Sequence, residues 1–426
     1  MPPSDDPDRL SEDDDRILGL ESASIAGHTL KLLILEPGDG ALDIEALRAA
    51  VAARLDSAPR ATHRVDTCGP EPRWVPAEAF DIRQHVRRHS DPQCDSKADL
   101  WRIVGGLMSE HLDRSRPLWT FDVIGPLADG REAIAARIHH AMADGIAGVR
   151  FLDSVLFDAR DRAAGTAPGL HEAPRPTPLT EALRLPGAVL RELGHAGGRS
   201  PFDRPITMAR ELAFVVAPLA RFKAIAAARP DPATVNDVLL ATIAGGLRTW
   251  AGASATHRLR AQIPVSLHHR DESAADTGNR DSFLNIDLEV DEPNPLIRLD
   301  RISAETRRRK RLDDADEMYD LFHALGRVGH LGSAVQRLAG SPREFGLSIS
   351  NVPGPREAVS VSGRPVANLF SSSEPAAHHA LRISAISCAG EMGIGLCTDP
   401  NALPDIARLA EAIEAAFAEL DSATTA

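Results

Sequence analysis

Cysteine, aromatic residues and long apolar runs are all scarce in this chain, and each scarcity removes a class of protein. Four cysteines, Cys68, Cys94, Cys388 and Cys397, are spread over 426 residues without the paired spacing of a zinc site or the density of a disulfide framework. They read as reduced thiols, with Cys388 and Cys397 on neighbouring strands. Aromatic residues make up 4% of the chain, and its single tyrosine is Tyr319. No stretch approaches the roughly 18 uninterrupted apolar residues of a membrane span. The start, MPPSDDPDRLSEDDDR, is acidic and has no apolar segment of the kind a secretory signal needs, so a cytoplasmic protein is expected. A basic surplus is also lacking: the net charge of -13 argues against a nucleic-acid partner. The one basic run, Arg307 to Arg311, is followed closely by LDDADE. It reads as a solvated helix face with compensating charges or, alternatively, as a docking site for an anionic cofactor or lipid headgroup.

What is present is soluble-globular usage, 43% hydrophobic and 26% charged, in a chain long enough for two cores. The first third alternates strand and helix patterns. TLKLLILE predicts a buried strand; DIEALRAAVAARLD places Ile44, Leu47, Val51 and Leu55 on one helical stripe behind Asp43 as N-cap. SKADLWRIVGGLMSEHLD is a second helix, LWTFDVIG and EAIAARIHH are strands, and IAGVRFLDSVLF is a helix. From about residue 158 to 205 prolines dissolve the pattern into a connector. Beyond it come the helix VNDVLLATIAGGLRTW, the strands RLRAQIPVSL and FLNIDLEV, and two helical stretches from Pro295 to about Leu338. The strand FGLSISN follows, then strands near 364–370, 380–388 and 391–397, and a final amphipathic helix. The expectation is a mixed α/β protein divided into a lobe at 1–160, a Pro-rich crossover at 161–205 and a second lobe at 206–426.

RIHHAMADGIAG, residues 137–148, carries the chemistry. Successive side chains of a strand point to opposite faces, so His139 and His140 cannot address one metal ion or one ligand together. One ring enters the packed interior and the other emerges where the strand ends. Asp144 then caps the following helix, and Gly145 permits a tight backbone. Two histidines on a half-buried strand with an ordinary helix cap would explain the pair alone; the full string His-His-x-x-x-Asp-Gly favours chemistry. A neutral imidazole suits general-base work, which contributes roughly 10²–10⁴ in rate, and His140 is the candidate base. No Gly-x-Ser-x-Gly elbow or nucleophilic cysteine context exists, so direct attack on an acyl thioester is expected rather than an acyl-enzyme. An oxyanion donor is then needed near the carbonyl.

HHAMADG resembles the active-site motif of the acyltransferase superfamily with a chloramphenicol-acetyltransferase-like fold, which includes condensation domains of peptide synthetases. Within it, the chain resembles the bacterial wax ester synthase/diacylglycerol acyltransferase family. The opening LSEDDDRILGLE matches at Leu10, Ser11, Asp14, Leu18 and Glu21, and RSRPLWTFDVI carries Pro117, Leu118 and Trp119. TVNDVLLATIAGGLR carries Asn236 and Asp237, PVSL is followed by GNR with Asn279, and SNVPGP spans Ser350 to Pro355. The ordered set covers residues 10 to about 420.

The resemblance implies two lobes with an active-site tunnel between them and His140 midway, His139 as its buried structural partner, and Asp144 in an ion pair for which Arg60, Arg64 and Arg280 are candidates. It moves Glu21, Asn236, Asn279 and Asn351 toward the substrate channel and leaves Pro117, Trp119 and Asp237 structural. No bound cofactor or metal is implied; acyl-CoA is the co-substrate and an alcohol or amine the acceptor. The leading expectation is an acyl-CoA-dependent O-acyltransferase acting on a long-chain alcohol or diacylglycerol, in peripheral contact with a lipid surface. The alternative is a specialised-metabolite acyltransferase drawing on CoA or a carrier-protein thioester, which the low aromatic content and the lack of a greasy surface segment keep open. A non-catalytic acyl-binding protein is a third reading, disfavoured by the intact motif. Departures from the family pattern are Ile17 in place of Phe, Cys388 in place of Tyr, a shorter connector, and an unexpected pair at His378 and His379. They bear on acceptor and chain preference rather than reaction type.

Overall fold

A computed structural model describes residues 8–69, 71–89, 94–159, 200–252, 259–266, 281–311 and 345–425. The chain opens with α1 (Glu12–Gly19), which Ser11 caps by accepting from the Asp14 amide. It continues through β1 (His28–Leu35), α2 (Ile44–Ala52), a hairpin of β2 (His63–Asp66) and β3 (Arg73–Pro76), α3 (Ile82–His85), β4 (Val86–Arg88) and α4 (Lys97–Met108). Then come β5 (Trp119–Ile124), β6 (Glu132–His139) and α5 (Gly145–Val155). After the connector follow β7 (Glu211–Pro218), α6 (Leu219–Ala227), α7 (Val235–Ala251), β8 (Arg260–Ser266), β9 (Asp281–Asp287) and α8 (Pro295–Arg311). The chain closes with β10 (Leu347–Pro353), β11 (Ser360–Val361), β12 (Arg364–Ser373), β13 (Leu381–Cys388), β14 (Glu391–Thr398) and α9 (Ile406–Thr425).

Two six-stranded mixed sheets result, in the orders β11-β12-β1-β6-β5-β4 and β7-β14-β13-β10-β8-β9. One face of the first sheet buries Leu33, Leu35, Phe121, Ile134 and Ile138 against residues of α2 and α5. Its other face buries Leu30, Leu32 and Ala135 against Leu100, Ile103, Val104 and Leu107 of α4. Strands covered on both faces read as unbroken apolar runs, which is why TLKLLILE and EAIAARIH show no polar alternation. The second sheet packs Met392, Ile394 and Leu396 with Leu239, Leu240 and Ile243 of α7 and Leu409 and Ile413 of α9.

A cut between 160 and 206 does not separate the sheets. The C-terminal half returns β11 and β12 to the first sheet, where β12 pairs antiparallel with β1. Glu132, fully buried at the start of β6, ties this return in place by accepting from Arg364 of β12 and Arg88 of β4. The 160–199 part of the connector, the helix expected up to Leu338 beyond Arg311, and Tyr319 lie outside the described residues.

Where the sheets meet, β12 crosses the glycine face of β14. A Cβ built on Gly393 or Gly395 would stand 2.2 Å from the backbone oxygen of Leu369 or Ser371, respectively. Backbone has nowhere to retreat, so Gly395→Ala is expected to cost about 1–3 kcal/mol, read as a lower denaturant midpoint with unchanged slope.

The basic run is compensated in its described part: Arg307 pairs with Asp231 at 3.5 Å, and Arg308 and Arg309 with Glu305 at 2.8 and 3.1 Å. The four cysteines form no disulfide, and Cys388 and Cys397 lie on the adjacent strands β13 and β14.

Candidate active site

Strand β6 delivers the two histidines. Its ladder runs past His139, whose amide donates to Leu118 O, to His140, whose amide donates to Gly27 O at 2.9 Å. The pleat therefore persists through both residues and sends the rings to opposite faces. The amides of Met142 and Ala143 both turn back to His139 O, and Asp144 starts α5 by accepting from the Ala147 amide at 2.8 Å.

His139 has no exposed surface. Its Nδ1 accepts from the Ala141 amide at 3.1 Å, which leaves Nε2–H to donate to Glu21 Oε1 at 2.7 Å. Glu21 in turn pairs with Arg114 at 2.9 Å. Burial works to raise the Glu21 pKa, but the hydrogen bond from His139, with Arg114 behind it, outweighs it and holds the carboxylate below its ordinary value. Glu21 thus stands on the buried histidine and orients it.

His140 lies deep in the molecule but is not fully enclosed. Burial, then the charge of Arg382, push its pKa down to about 4, with Asp144 opposing them and His139 and Lys31 adding to them. At neutral pH the ring is an uncharged base.

Two of the arginines considered for Asp144 face other carboxylates. Arg60 faces Asp14 at 3.5 Å and Arg64 faces Asp66 at 3.9 Å, so neither is committed to Asp144; Arg280 lies outside the described residues. Lys31, buried on β1, lies close enough for the Asp144 charge to favour its protonated form. The sequence offered one signal for it: a lysine in the middle of an otherwise apolar strand.

Gly145 places this loop against the second sheet. A Cβ there would stand 2.8 Å from Cγ2 of Val352 in β10, so the first turn of α5 abuts the SNVPGP segment. The neighbouring Asn351 is brought to Asn236, Nδ2 donating to Oδ1 at 3.5 Å. Asn236 sits in the first turn of α7, set by a capping box between Thr234 and Asp237; Thr306 adds a hydrogen bond to Asp237 at 2.7 Å. Asn279 lies outside the described residues. Trp119 is buried, donating from Nε1 to Ala61 O and stacking on His85. His379 is buried and stacks on Phe345 with ring centroids 4.2 Å apart, whereas His378 is exposed.

Acid should weaken the fold through three histidines. Burial lowers the pKa of His28 well below 6.5 and those of His85 and His140 to about 4. Below pH 6.5 the unfolded chain takes up protons that the folded chain refuses. Stability is therefore intact above 6.5 and declines as pH falls toward 4, by up to about 1.4 kcal/mol per pH unit for each such group. The thermal midpoint, measured from pH 7.5 down to 4.5, is expected to drop progressively from about pH 6.5, the ordinary histidine value.

Comparisons with known proteins give the family. Residues 10–198 match the wax ester synthase/diacylglycerol acyltransferase catalytic domain, and residues 277–421 match the C-terminal domain of that family. A Mycobacterium bovis protein assigned as a diacylglycerol O-acyltransferase is 31% identical over 409 residues, covering 85% of this chain and 80% of its own. The solved wax ester synthase/diacylglycerol acyltransferase from Marinobacter aquaeolei VT8 superposes with a TM-score of 0.75 at 24% identity, covering 98% of this chain and all of its own. The first condensation domain of the CDA synthetase superposes at 0.62 with 17% identity, over 98% and 97% of the two chains, and shares the fold. The helices described are none of them long and apolar enough to cross a membrane. The chain belongs to the wax ester synthase/diacylglycerol acyltransferase family and is an acyltransferase of that family.

Proposed function

We propose that the chain transfers a fatty acyl group from acyl-CoA to the hydroxyl of a long-chain alcohol or diacylglycerol, with His140 as general base. The observation that carries this reading is an imidazole kept neutral by burial, on a residue not fully enclosed, held where α5 of the first sheet meets β10 of the second. His140 takes the hydroxyl proton as the oxygen attacks the thioester carbonyl. The tetrahedral intermediate then expels the CoA thiolate, which recovers the proton from the imidazolium, and the ester leaves. His139, fixed by Glu21, holds the strand end in register; Asp144 and Gly145 set the turn. Asn236 and Asn351, joined across α7 and β10, stand on the side from which substrate would be bound. The Mycobacterium bovis relative, named for diacylglycerol acylation, and the Marinobacter wax ester synthase/diacylglycerol acyltransferase support the lipid acceptor. A condensation domain of rhizomide synthetase with the same fold has been solved with C8-CoA, in keeping with a CoA thioester donor.

Two cations, Lys31 and Arg382, act on His140. They favour, as the second reading, a polar acceptor hydroxyl or amine of a specialised metabolite, with CoA or a carrier protein as donor. Purified protein given palmitoyl-CoA with hexadecanol, diolein or polar amines separates the two when CoA release is followed. Turnover with hexadecanol or diolein is the expected result, and adding lipid vesicles to these assays reads out a peripheral membrane contact. Turnover with polar acceptors alone would defeat the lipid reading.

A further inference from the structure

Lys31 interrupts an apolar strand, is 1% exposed, and has no part in the reaction as described so far. Its Nζ donates to Ser371 Oγ of β12 at 2.9 Å. The register sets Lys31 opposite Ala136 and Thr29 opposite Ile138, and continuing that alternation puts His140 on the same face of the sheet. The first turns of α5 cover this face: a Cβ built on Gly148 would lie 3.9 Å from both Ile138 Cδ1 and Lys31 Cε. The ammonium is thus lodged beneath the N-terminal end of the helix that Asp144 caps. A cation there meets the positive end of the helix dipole, and a carboxylate is needed to neutralise both.

We propose that Lys31 is a positioning residue for the transfer reaction: its ammonium, held between β1, β12 and the start of α5, balances the Asp144 carboxylate and sets the basicity of His140. Burial lowers the pKa of Lys31 to about 8, Asp144 opposing that shift and Arg382 of β13 assisting it, so the side chain is a cation at neutral pH. The groups acting on His140 are Arg382, Asp144, His139 and Lys31; Asp144 in turn acts on the buried Asp14 of α1, which faces Arg60. Removing one positive charge from this set makes the imidazole easier to protonate. A lysine that only filled space would leave the titration of His140 untouched when replaced by a side chain of similar volume.

The inference rests on the reading of His140 as the base, and the test separates the two. Lys31→Met and Lys31→Arg are prepared, and each is followed by kcat/KM against pH and by the ring titration of His140 in 15N-histidine spectra. In Lys31→Met both the acid limb and the ring titration are expected to rise by roughly half a unit to one unit, as for a like charge removed at moderate distance in protein. Lys31→Arg, with the charge kept, is expected to stay at the wild-type position. An unmoved ring titration in folded Lys31→Met overturns the proposal; if that variant does not fold, Lys31→Gln gives the same readout. Undiminished turnover in His140→Ala would instead remove the base, leaving the ring titration to decide on Lys31 alone.

Discussion

Replacing His140 by alanine is expected to lower kcat by roughly 10²–10⁴-fold, the usual contribution of a positioned general base, while leaving the thermal midpoint near that of the wild type. The effect on rate follows from the ring's state: with a pKa of about 4 it is uncharged at neutral pH and ready to accept a proton. Stability is spared because the residue is not fully enclosed, and its backbone amide bond to Gly27 O does not depend on the side chain. His139→Ala should behave differently. It empties a fully buried site and strands the Glu21 carboxylate beside Arg114, so folding and turnover fall together. Rates of CoA release and melting curves for the two variants distinguish a chemical histidine from a structural one.

The second large effect belongs to a residue that takes no part in the chemistry. Gly27 has φ +76, and a Cβ there would stand 2.4 Å from His139 Nε2 and 3.1 Å from Glu21 Cγ. Its carbonyl receives the His140 amide, and its own amide donates to Glu374 Oε2 at 2.7 Å, with Ala26 beside it donating to Oε1 at 3.1 Å. Gly27→Ala must therefore distort the left-handed turn, displace the His139 ring from Glu21, or both. The left-handed penalty of about 1–2 kcal/mol and the loss of a charge-assisted hydrogen bond, about 1.5–3 kcal/mol, together predict a loss of about 3 kcal/mol or more. Because His140 hangs on the same carbonyl, turnover is expected to fall about 10²-fold as well, the scale of a misplacement of about 1 Å. Denaturant unfolding and kcat in one preparation test both; a folded, fully active Gly27→Ala would show that the turn is slack.

Much of this arrangement was legible in the sequence because it is local. A strand ending at adjacent histidines dictates opposite faces, and the ladder does continue through both residues. The Asp144 cap and the Thr234–Asp237 box are set by contacts three residues apart, and each forms as its pattern predicts. The buried stripes at Leu47 and Val51 and at Leu409, Ile413 and Leu420 follow from helical period alone. What depended on distant partners was not legible. Nothing in VANLFSSS says that β12 leaves its sequence neighbour β13 to pair with β1, since pairing register is a property of two strands and not of one. The strand β7, ELAFVVAP, carries a weak pattern, since its burial alternates only toward its end, after a proline-rich stretch. Ion pairs between distant stretches are hidden in the same way: nothing around Arg60 says that it faces Asp14. A lone lysine in a strand, such as Lys31, gives no hint of which face, or which carboxylate, it meets.

The central claim, that acyl transfer is arranged around the His140 ring at the junction of α5 and β10, is tested most directly by a crystal structure with a non-hydrolysable thioether analogue of palmitoyl-CoA. The account predicts the atom standing for the thioester carbonyl carbon close to the His140 ring, with space for an acceptor oxygen between them at about 3 Å from the base. An analogue bound with that atom remote from His140, and the ring enclosed by side chains with no route to it, would contradict the account.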